Sequence, residues 1–476
     1  MKKSQKVLAV DLDGTLLKTD MLYESLCYSI SENILNTFVK IKYFLINKAK
    51  GKREFAKELD FDPAILPYRG EVLEFITKAK QDGCRTVLVS ASDNRLVEKI
   101  SDFLGCFDEA FGSDGKTNLK GKTKAEFLIN RFGEKGFDYI GDSKADLHVW
   151  AKADRVLTVN ASRRLKTIFK ENGQNYTEVV FLDSWILRLK TLFFALRPHQ
   201  WLKNLLVFLP IFAAHNTEVT VLAIGLVAFI SFCFITSSVY LFNDLLDLDS
   251  DRRHSWKKKR PFASGDMSIT FGLVNIIFFL LLGLVIGWFV GQAFLWAIMG
   301  YYCLTLLYSL ELKRKFIIDI FVLAAFFIVR VVAGSLASGI ELSIWLLAFC
   351  GFLFLSLATI KRQAELSNSL NQGKQKALGR AYTVEDLPVV GFMAFSMGLI
   401  SVIIFMLYLL SPSVTMSYSE PIFLWGACPV LLCWIIRLAL LARNGEMHED
   451  PVMFAARDKN SLACGILIFL FIVAGI

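Results

Sequence analysis

The chain of 476 residues is poor in the side chains that build metal–thiolate or disulfide scaffolds. Its nine cysteines (27, 84, 106, 233, 303, 350, 428, 433 and 464) form no C-x-x-C pair, and most of the later ones fall in apolar runs. They read as small hydrophobes, which argues against disulfides and zinc. The five histidines are scattered without ligand spacing. No secretory leader is visible: Met-Lys-Lys is followed by a short apolar run that ends in Asp11, with no small-residue cleavage site. The N-terminus is therefore expected in the cytoplasm. There is no fixed-period repeat and no low-complexity tract. A basic, aromatic-studded soluble stretch is also missing, so nucleic acid is not an expected partner despite a net charge of +9.

What is abundant is apolar. Hydrophobic residues make up 54% of the chain, with 41 phenylalanines, yet 20% of residues are charged. Soluble domains average roughly 45–50% apolar. A soluble part joined to a membrane part reconciles the two figures. From about Leu196 onward nine apolar stretches follow one another: 199–214, 219–241, 269–289, 292–309, 316–337, 342–360, 389–411, 420–441 and 461–476. Most approach the ~20 residues that a spanning helix needs. Basic residues gather in alternate loops, at 242–268, 310–315, 361–388 and 442–460, and the intervening connections carry no Lys or Arg. That alternation places the basic loops and the N-terminal domain in the cytoplasm, with the rest in the inner membrane. The expected division is 1–190 and 191–476.

Residues 1–190 alternate short apolar strands (6–10, 85–90, 139–140 and 156–159) with amphipathic helices, the pattern of a parallel sheet covered by helices. A helical insert at 20–68 interrupts it. There Phe38, Ile41, Phe44 and Leu45 recur at helical spacing among Lys40, Lys42, Lys48 and Lys50. This helix either packs on its own domain or touches anionic lipid or the membrane domain. The first strand runs into Asp11-Leu12-Asp13-Gly14-Thr15, a later one ends at Ser90, and Gly141-Asp142-Ser143-Lys144-Ala145-Asp146 follows a third. Carboxylates, a hydroxyl and a lysine at strand ends suit magnesium-assisted phosphoryl transfer, because the metal takes hard oxygen ligands and phosphate takes cations and donors. The set resembles the haloacid-dehalogenase-like (HAD) phosphatases over about residues 6–160. The resemblance implies Asp11 as nucleophile and Asp13 as the acid–base group. It implies one Mg²⁺ at Asp11, Asp13 and Asp142 with Asp146 in support, and phosphate contacts from Ser90 and Lys124. Lys120 and Lys122 compete with Lys124 for that role. Residues 20–68 become a cap.

A second acidic set ends an apolar span: Asn243, Asp244, Asp247 and Asp251. The three aspartates, at i, i+3 and i+7, share a helix face. Carboxylates so close to a membrane call for a cation, and Mg²⁺ bridging a diphosphate is its natural form. Asp249 lies off that face. The spacing N-D-x-x-D-x-x-x-D resembles the first motif of the UbiA superfamily of intramembrane prenyltransferases, over about 196–476, which implies a helical bundle and one or more Mg²⁺. Its usual second aspartate motif is incomplete: Asp319 is present, but position 323 is Leu. Arg197-Pro198-His199-Gln200-Trp201-Leu202-Lys203-Asn204, the intramembrane Arg330 before Ala333-Gly334, and Lys361-Arg362 resemble the decaprenyl-phosphate phosphoribosyltransferase branch.

The resemblance implies phosphoribosyl pyrophosphate as donor and a polyprenyl phosphate as acceptor. Asp244, Asp247 and Asp251 would hold metal and diphosphate. Arg197, Lys203, Asn204, Asn243, Arg260, Lys313, Asp319, Arg330, Lys361 and Arg362 would bind substrate. The HAD-like domain would then remove the 5-phosphate of the lipid-linked product. The alternative is a prenyl transfer from a prenyl diphosphate to an aromatic or glycerol acceptor, beside an unrelated phosphatase.

Overall fold

A computed structural model describes residues 6–180, 185–375, 380–411, 414, 418–447 and 450–476. Lys376, His448 and most of the 412–419 connection lie outside the described residues. The chain divides into two units, 1–196 with 241–275, and 197–240 with 276–476.

The first unit is built on six parallel strands: β1 (Val7–Val10), β2 (Arg85–Asp93), β3 (Glu109–Ser113), β4 (Phe137–Gly141), β5 (Val156–Val159) and β6 (Tyr176–Val180), in the order β3-β2-β1-β4-β5-β6. Strand alternation divides the apolar residues between two cores. Leu8, Val10, Leu88 and Ile140 face one helix layer, whereas Val7, Ala9, Val87 and Tyr139 face the other. The chain winds outward from β1 to β3, then returns to β1's other side to lay down β4. That reversal opens a crevice past the carboxyl ends of β1 and β4, where ligands of open α/β sheets bind.

The insert after β1 forms three helices, Met21–Glu32, Ile34–Ile46 and Lys48–Glu58. Asp20, Asn33 and Asn47 cap them in turn by accepting from backbone N–H groups. Residues 241–275 belong to the same unit. The buried Arg252 donates twice to Glu24 of the insert, at 3.0 and 2.6 Å, and once to the Ala263 carbonyl at 3.1 Å. Lys18 pairs with Asp266 at 3.1 Å.

The second unit is helical. Seven helices among the described residues are long and apolar enough to cross a membrane: Val219–Leu246, Ile269–Val290, Gln292–Leu310, Ile318–Ser338, Ile344–Asn371, Val384–Leu409 and Pro421–Arg443. The first expected span is instead a 3-10 segment, Pro198–Phe208, followed by a short helix, Leu209–Ala213. Pro198 and Pro210 each open one of these pieces, which divides the run. The last expected span is a helix of 17 residues, Lys459–Gly475, about 25 Å long at 1.5 Å per residue. The 3-10 segment lies hard against the helix that carries Arg330. A Cβ on Gly334 would stand 2.0 Å from the Val207 carbonyl oxygen, so any larger residue would force the two apart.

Candidate functional sites

The sheet-edge site is assembled by two chain segments, one after β1 and one after β4. Asp11 leaves β1, Asp142 leaves β4, and Asp146 closes a capping box with Ser143, whose N–H and hydroxyl both donate to it at 3.0 Å. One oxygen from each of these three carboxylates lies within 4.8 Å of the others. Lys124 is buried among them, 2.9 Å from Asp11 and 3.9 Å from Asp146, and donates to the Tyr139 hydroxyl at 3.0 Å. Tyr139 in turn donates to Asp146 at 2.7 Å. Gly14, at φ +78°, lets the loop pass Asp142; a Cβ there would sit 2.3 Å from the Asp142 carboxylate.

Asp13 turns elsewhere. It accepts from the Ser90 and Ser92 hydroxyls at 3.0 and 2.6 Å and from the Met21 N–H at 2.8 Å. Its carboxylate is thus held by hydroxyls, while Asp146 completes the three-carboxylate group. Lys120 lines the same cavity, of about 570 Å³, and Lys122 does not. The cavity also takes in Lys52, Phe44 and Ser268–Thr270, at the start of the helix Ile269–Val290. Lys52 reaches in from the insert, fixed by the Ala91 carbonyl at 2.7 Å and Asn118 at 3.0 Å.

The charge balance of the sheet-edge site favours a cation. Burial pushes Asp11 up to about 7 against the pull of Lys124, and Asp146 and Asp13 add to the rise. Burial, then Asp146 and Asp11, hold Asp142 well above the usual carboxylate range. Two buried acids and a half-buried one facing one lysine leave negative charge that a divalent ion with oxygen ligands would neutralise. Asp11, Asp142 and Asp146 fit such an ion.

The helix-end site is simpler. Asp244 closes the long helix Val219–Leu246, and Asp251 lies in the next short helix, Leu248–Arg253. The Arg260 guanidinium bridges both carboxylates, at 3.1 Å from Asp244 and 2.6 Å from Asp251. Burial lifts Asp251 to about 6 against Arg260, and Asp244 adds to the rise. The second Asp251 oxygen and the Asn243 side-chain oxygen are buried without a hydrogen-bond partner among the described residues. Hard oxygens left unsatisfied beside two acids fit a divalent cation. Asp247 is half-buried on the same turn, and Asp249 pairs with Arg253 at 2.9 Å on the surface.

The helical unit holds two further clusters. Arg330, buried, donates to Asn204 at 2.9 Å, to the Tyr301 hydroxyl at 2.8 Å and to the Phe326 carbonyl. Its guanidinium lies 4.9 Å from the Tyr301 ring centre and 5.9 Å from that of Phe327. Lys203 stands over the same Phe327 ring at 5.8 Å. Lys203 and Lys361 meet at Asp450, at 2.8 and 3.2 Å. Burial works against the Asp450 charge, but the two lysines hold its carboxyl well below the usual range.

The second cluster surrounds Asp319, which is fully buried, accepts from the Tyr382 hydroxyl and pairs with Arg362 at 2.6 Å. Arg362 also pairs with Glu365 and donates to Tyr308 at 3.1 Å, which Arg380 meets at 2.9 Å. The Lys313 carbonyl accepts from Arg380 at 3.4 Å. Arg197 sits at φ +53° with its guanidinium over Tyr240, 5.4 Å from the ring centre.

A family model of UbiA prenyltransferases matches residues 204–458, more than half of the chain. The chain belongs to the UbiA prenyltransferase family. This UbiA-family chain is 34% identical over 466 residues to an uncharacterized Sinorhizobium fredii protein, y4nM, covering 97% of the chain and 89% of y4nM. It is 35% identical over 271 residues to the nodulation protein NoeC of Azorhizobium caulinodans, covering 57% of the chain and 88% of NoeC. To the decaprenyl-phosphate phosphoribosyltransferase of Mycolicibacterium smegmatis it is 36% identical over 179 residues, 36% of the chain and 56% of that enzyme.

Several residues of these sites escaped sequence reading. Asp450 was hidden in a basic loop, where an acid ahead of Pro451 was the one available hint. Ser92, Tyr139 and Lys52 follow no spacing rule and reach their places through tertiary packing. Tyr301 and Tyr382 stand in no motif that sets them apart from the other tyrosines.

Proposed function

We propose that this UbiA-family protein is a bifunctional, magnesium-dependent membrane enzyme with parts at 1–190 and 191–476. The membrane part transfers 5-phosphoribose from phosphoribosyl pyrophosphate to a polyprenyl phosphate, and the α/β part removes the 5-phosphate of the lipid-linked product. Basic loops and the α/β domain face the cytoplasm.

The observation that carries this reading is the cationic cluster of Lys203, Arg330 and Lys361. Among the described residues Asp450 is the carboxylate that Lys203 and Lys361 share, and the Arg330 partners are neutral. A surplus of positive charge within apolar helices is costly unless an anion is received there. The proposed donor brings a 5-phosphate beyond its diphosphate, and the acceptor brings a phosphate of its own. Charge-assisted bonds from a guanidinium fork suit either. Mg²⁺ held by Asp244, Asp247 and Asp251 would neutralise the departing pyrophosphate. An acceptor phosphate oxygen then forms the new bond to ribose C1 as the C1–pyrophosphate bond breaks. Asn243 and Arg260 orient the diphosphate, and Arg197, Asn204 and Lys313 complete the substrate contacts. Asp319 and Arg362, paired with each other at 2.6 Å, belong to the same substrate-binding set.

At the sheet-edge site Asp11 attacks the 5-phosphorus, Asp13 protonates the departing ribose oxygen, and water later cleaves the aspartyl-phosphate. Asp142 and Asp146 would hold Mg²⁺ with Asp11, which offsets phosphate charge. Lys124 and Ser90 hold phosphoryl oxygens.

The test is incubation of purified protein with labelled phosphoribosyl pyrophosphate, polyprenyl phosphate and Mg²⁺, followed by identification of the lipid products. Lipid-linked ribose supports the reading. Consumption of a prenyl diphosphate with an aromatic or glycerol acceptor, and none of phosphoribosyl pyrophosphate, would replace it with prenyl transfer.

A further inference from the structure

The insert helix Ile34–Ile46 is inside out. Its polar residues point inward: Thr37 and Lys40 are buried, Thr37 meets Ser29 at 2.9 Å, and Lys40 donates to Ser29 at 3.0 Å and pairs with Glu58. Its apolar residues point outward. Leu35 is 75% exposed, Phe38 63%, Leu45 79% and Ile46 75%. At 100° per residue, positions 35, 38, 39, 42, 45 and 46 fall on one side of the helix, and Thr37, Lys40 and Phe44 on the other. Two other helices of the same unit keep the usual order. Helix Asn94–Leu104 buries Leu96, Val97 and Ile100, and helix Arg163–Glu171 buries Leu165 and Phe169.

We propose that this outward face lies in the interface of a bilayer with anionic headgroups. An exposed apolar patch of this kind in a water-soluble domain calls for a partner. Four features select lipid. The helix contains no acidic residue, and Lys42 stands within the apolar face while Lys48 and Lys50 follow it, all exposed. This is the composition of helices that lie flat on anionic membranes. A contact with a second copy through this face would bury the Lys42 ammonium among apolar residues with no acidic residue on the helix to pair it, whereas a headgroup phosphate would pair it. A second helix of the same unit, Trp185–Ala195, also exposes Trp185, Ile186, Leu189, Phe193 and Phe194. The chain itself continues into membrane helices, so a bilayer is within reach.

The consequence for chemistry follows from Phe44, which lines the sheet-edge cavity from the opposite side of this helix. A helix seated in the headgroups would bring that cavity to lipid-borne phosphate. The bilayer contact itself does not depend on either proposed activity, so it can fail or succeed separately from them.

The experiment places the photo-crosslinker p-benzoylphenylalanine at Phe38, and separately at Leu45, in the full chain. The protein is reconstituted in vesicles of phosphatidylcholine with phosphatidylglycerol, irradiated, and analysed by mass spectrometry. Phospholipid adducts are expected at both positions, and none at the exposed Glu71 on a helix remote in sequence. Adducts to another segment of the chain or to a second copy would overturn the proposal, as would absence of lipid adducts. The double variant Lys42→Glu, Lys50→Glu, carrying the crosslinker at Phe38, should lose adduct yield several-fold in these vesicles and little in phosphatidylcholine alone. An equal yield in both would overturn the anionic-lipid assignment.

Discussion

The two acidic sites neutralise their carboxylates in different ways. At the sheet edge, three carboxylates from two chain segments, one after β1 and one after β4, converge on one buried lysine, and Tyr139, Ser143 and Gly14 hold the parts in place. At the helix end, two aspartates from one stretch of chain share a half-buried arginine, with oxygens to spare. The first is fixed by the sheet, so its geometry is insensitive to any one partner. The second depends on one long side chain, Arg260, that reaches both carboxylates from the following loop. Sites of the first kind suit repeated chemistry on one small group. Sites of the second kind suit a large departing anion.

Breaking the first site should have the largest effect. Asp11→Asn is expected to abolish phosphate release, because a carboxamide is a poor nucleophile, and to leave lipid ribosylation intact. Mass spectrometry should show phosphoribosylated lipid accumulating. Loss of transfer in a folded protein would end the independence of the two sites. Next, Asp244→Ala, Asp247→Ala or Asp251→Ala should each cut transfer by orders of magnitude, since one such group is often worth ~3–4 kcal/mol in the transition state. Hydrolysis of a soluble phosphomonoester should survive. Near-normal transfer would remove that aspartate from the metal set.

Arg330→Leu comes third. No carboxylate partners Arg330 among the described residues, so the change strands no buried acid. Thermal stability in detergent should stay close to wild type while transfer falls by about tenfold to a hundredfold, as expected for a lost charged bond of ~1.5–3 kcal/mol. A collapse in stability with wild-type kinetics would make it a structural residue. The smallest effect is expected from Asp249→Asn. It breaks an exposed pair with Arg253, worth ~0.2–1 kcal/mol at most, and both activities should be unchanged. A large loss of transfer would bring Asp249 into the metal site and erase the contrast between that site's aspartates and their exposed neighbour.

How much of this was legible depended on burial. Strands β1, β2, β4 and β5 announce themselves as apolar runs because both faces of a central parallel strand are covered. The edge strands β3 and β6 escaped notice. Each has one buried residue, and Glu109 or Glu178 interrupts the pattern. Acidic motifs were visible because carboxylates beside apolar runs stand out. Their partners were not, because a tyrosine or an aspartate a hundred residues away becomes a ligand only through packing. The nine apolar runs were real as composition, but Pro198 and Pro210 break the first into pieces too short to span. The insert helix showed its period plainly, yet period cannot say which side faces inward.

The Arg252–Glu24 pair bears on how such a chain can be divided. Arg252 follows Asp251 directly, and Glu24 belongs to the insert above the sheet-edge site. If a gene were split between codons 190 and 200, two separate polypeptides would have to find this buried contact by diffusion, at the cost of the high effective concentration that one chain provides. The acidic loop would lose the support that holds Arg252.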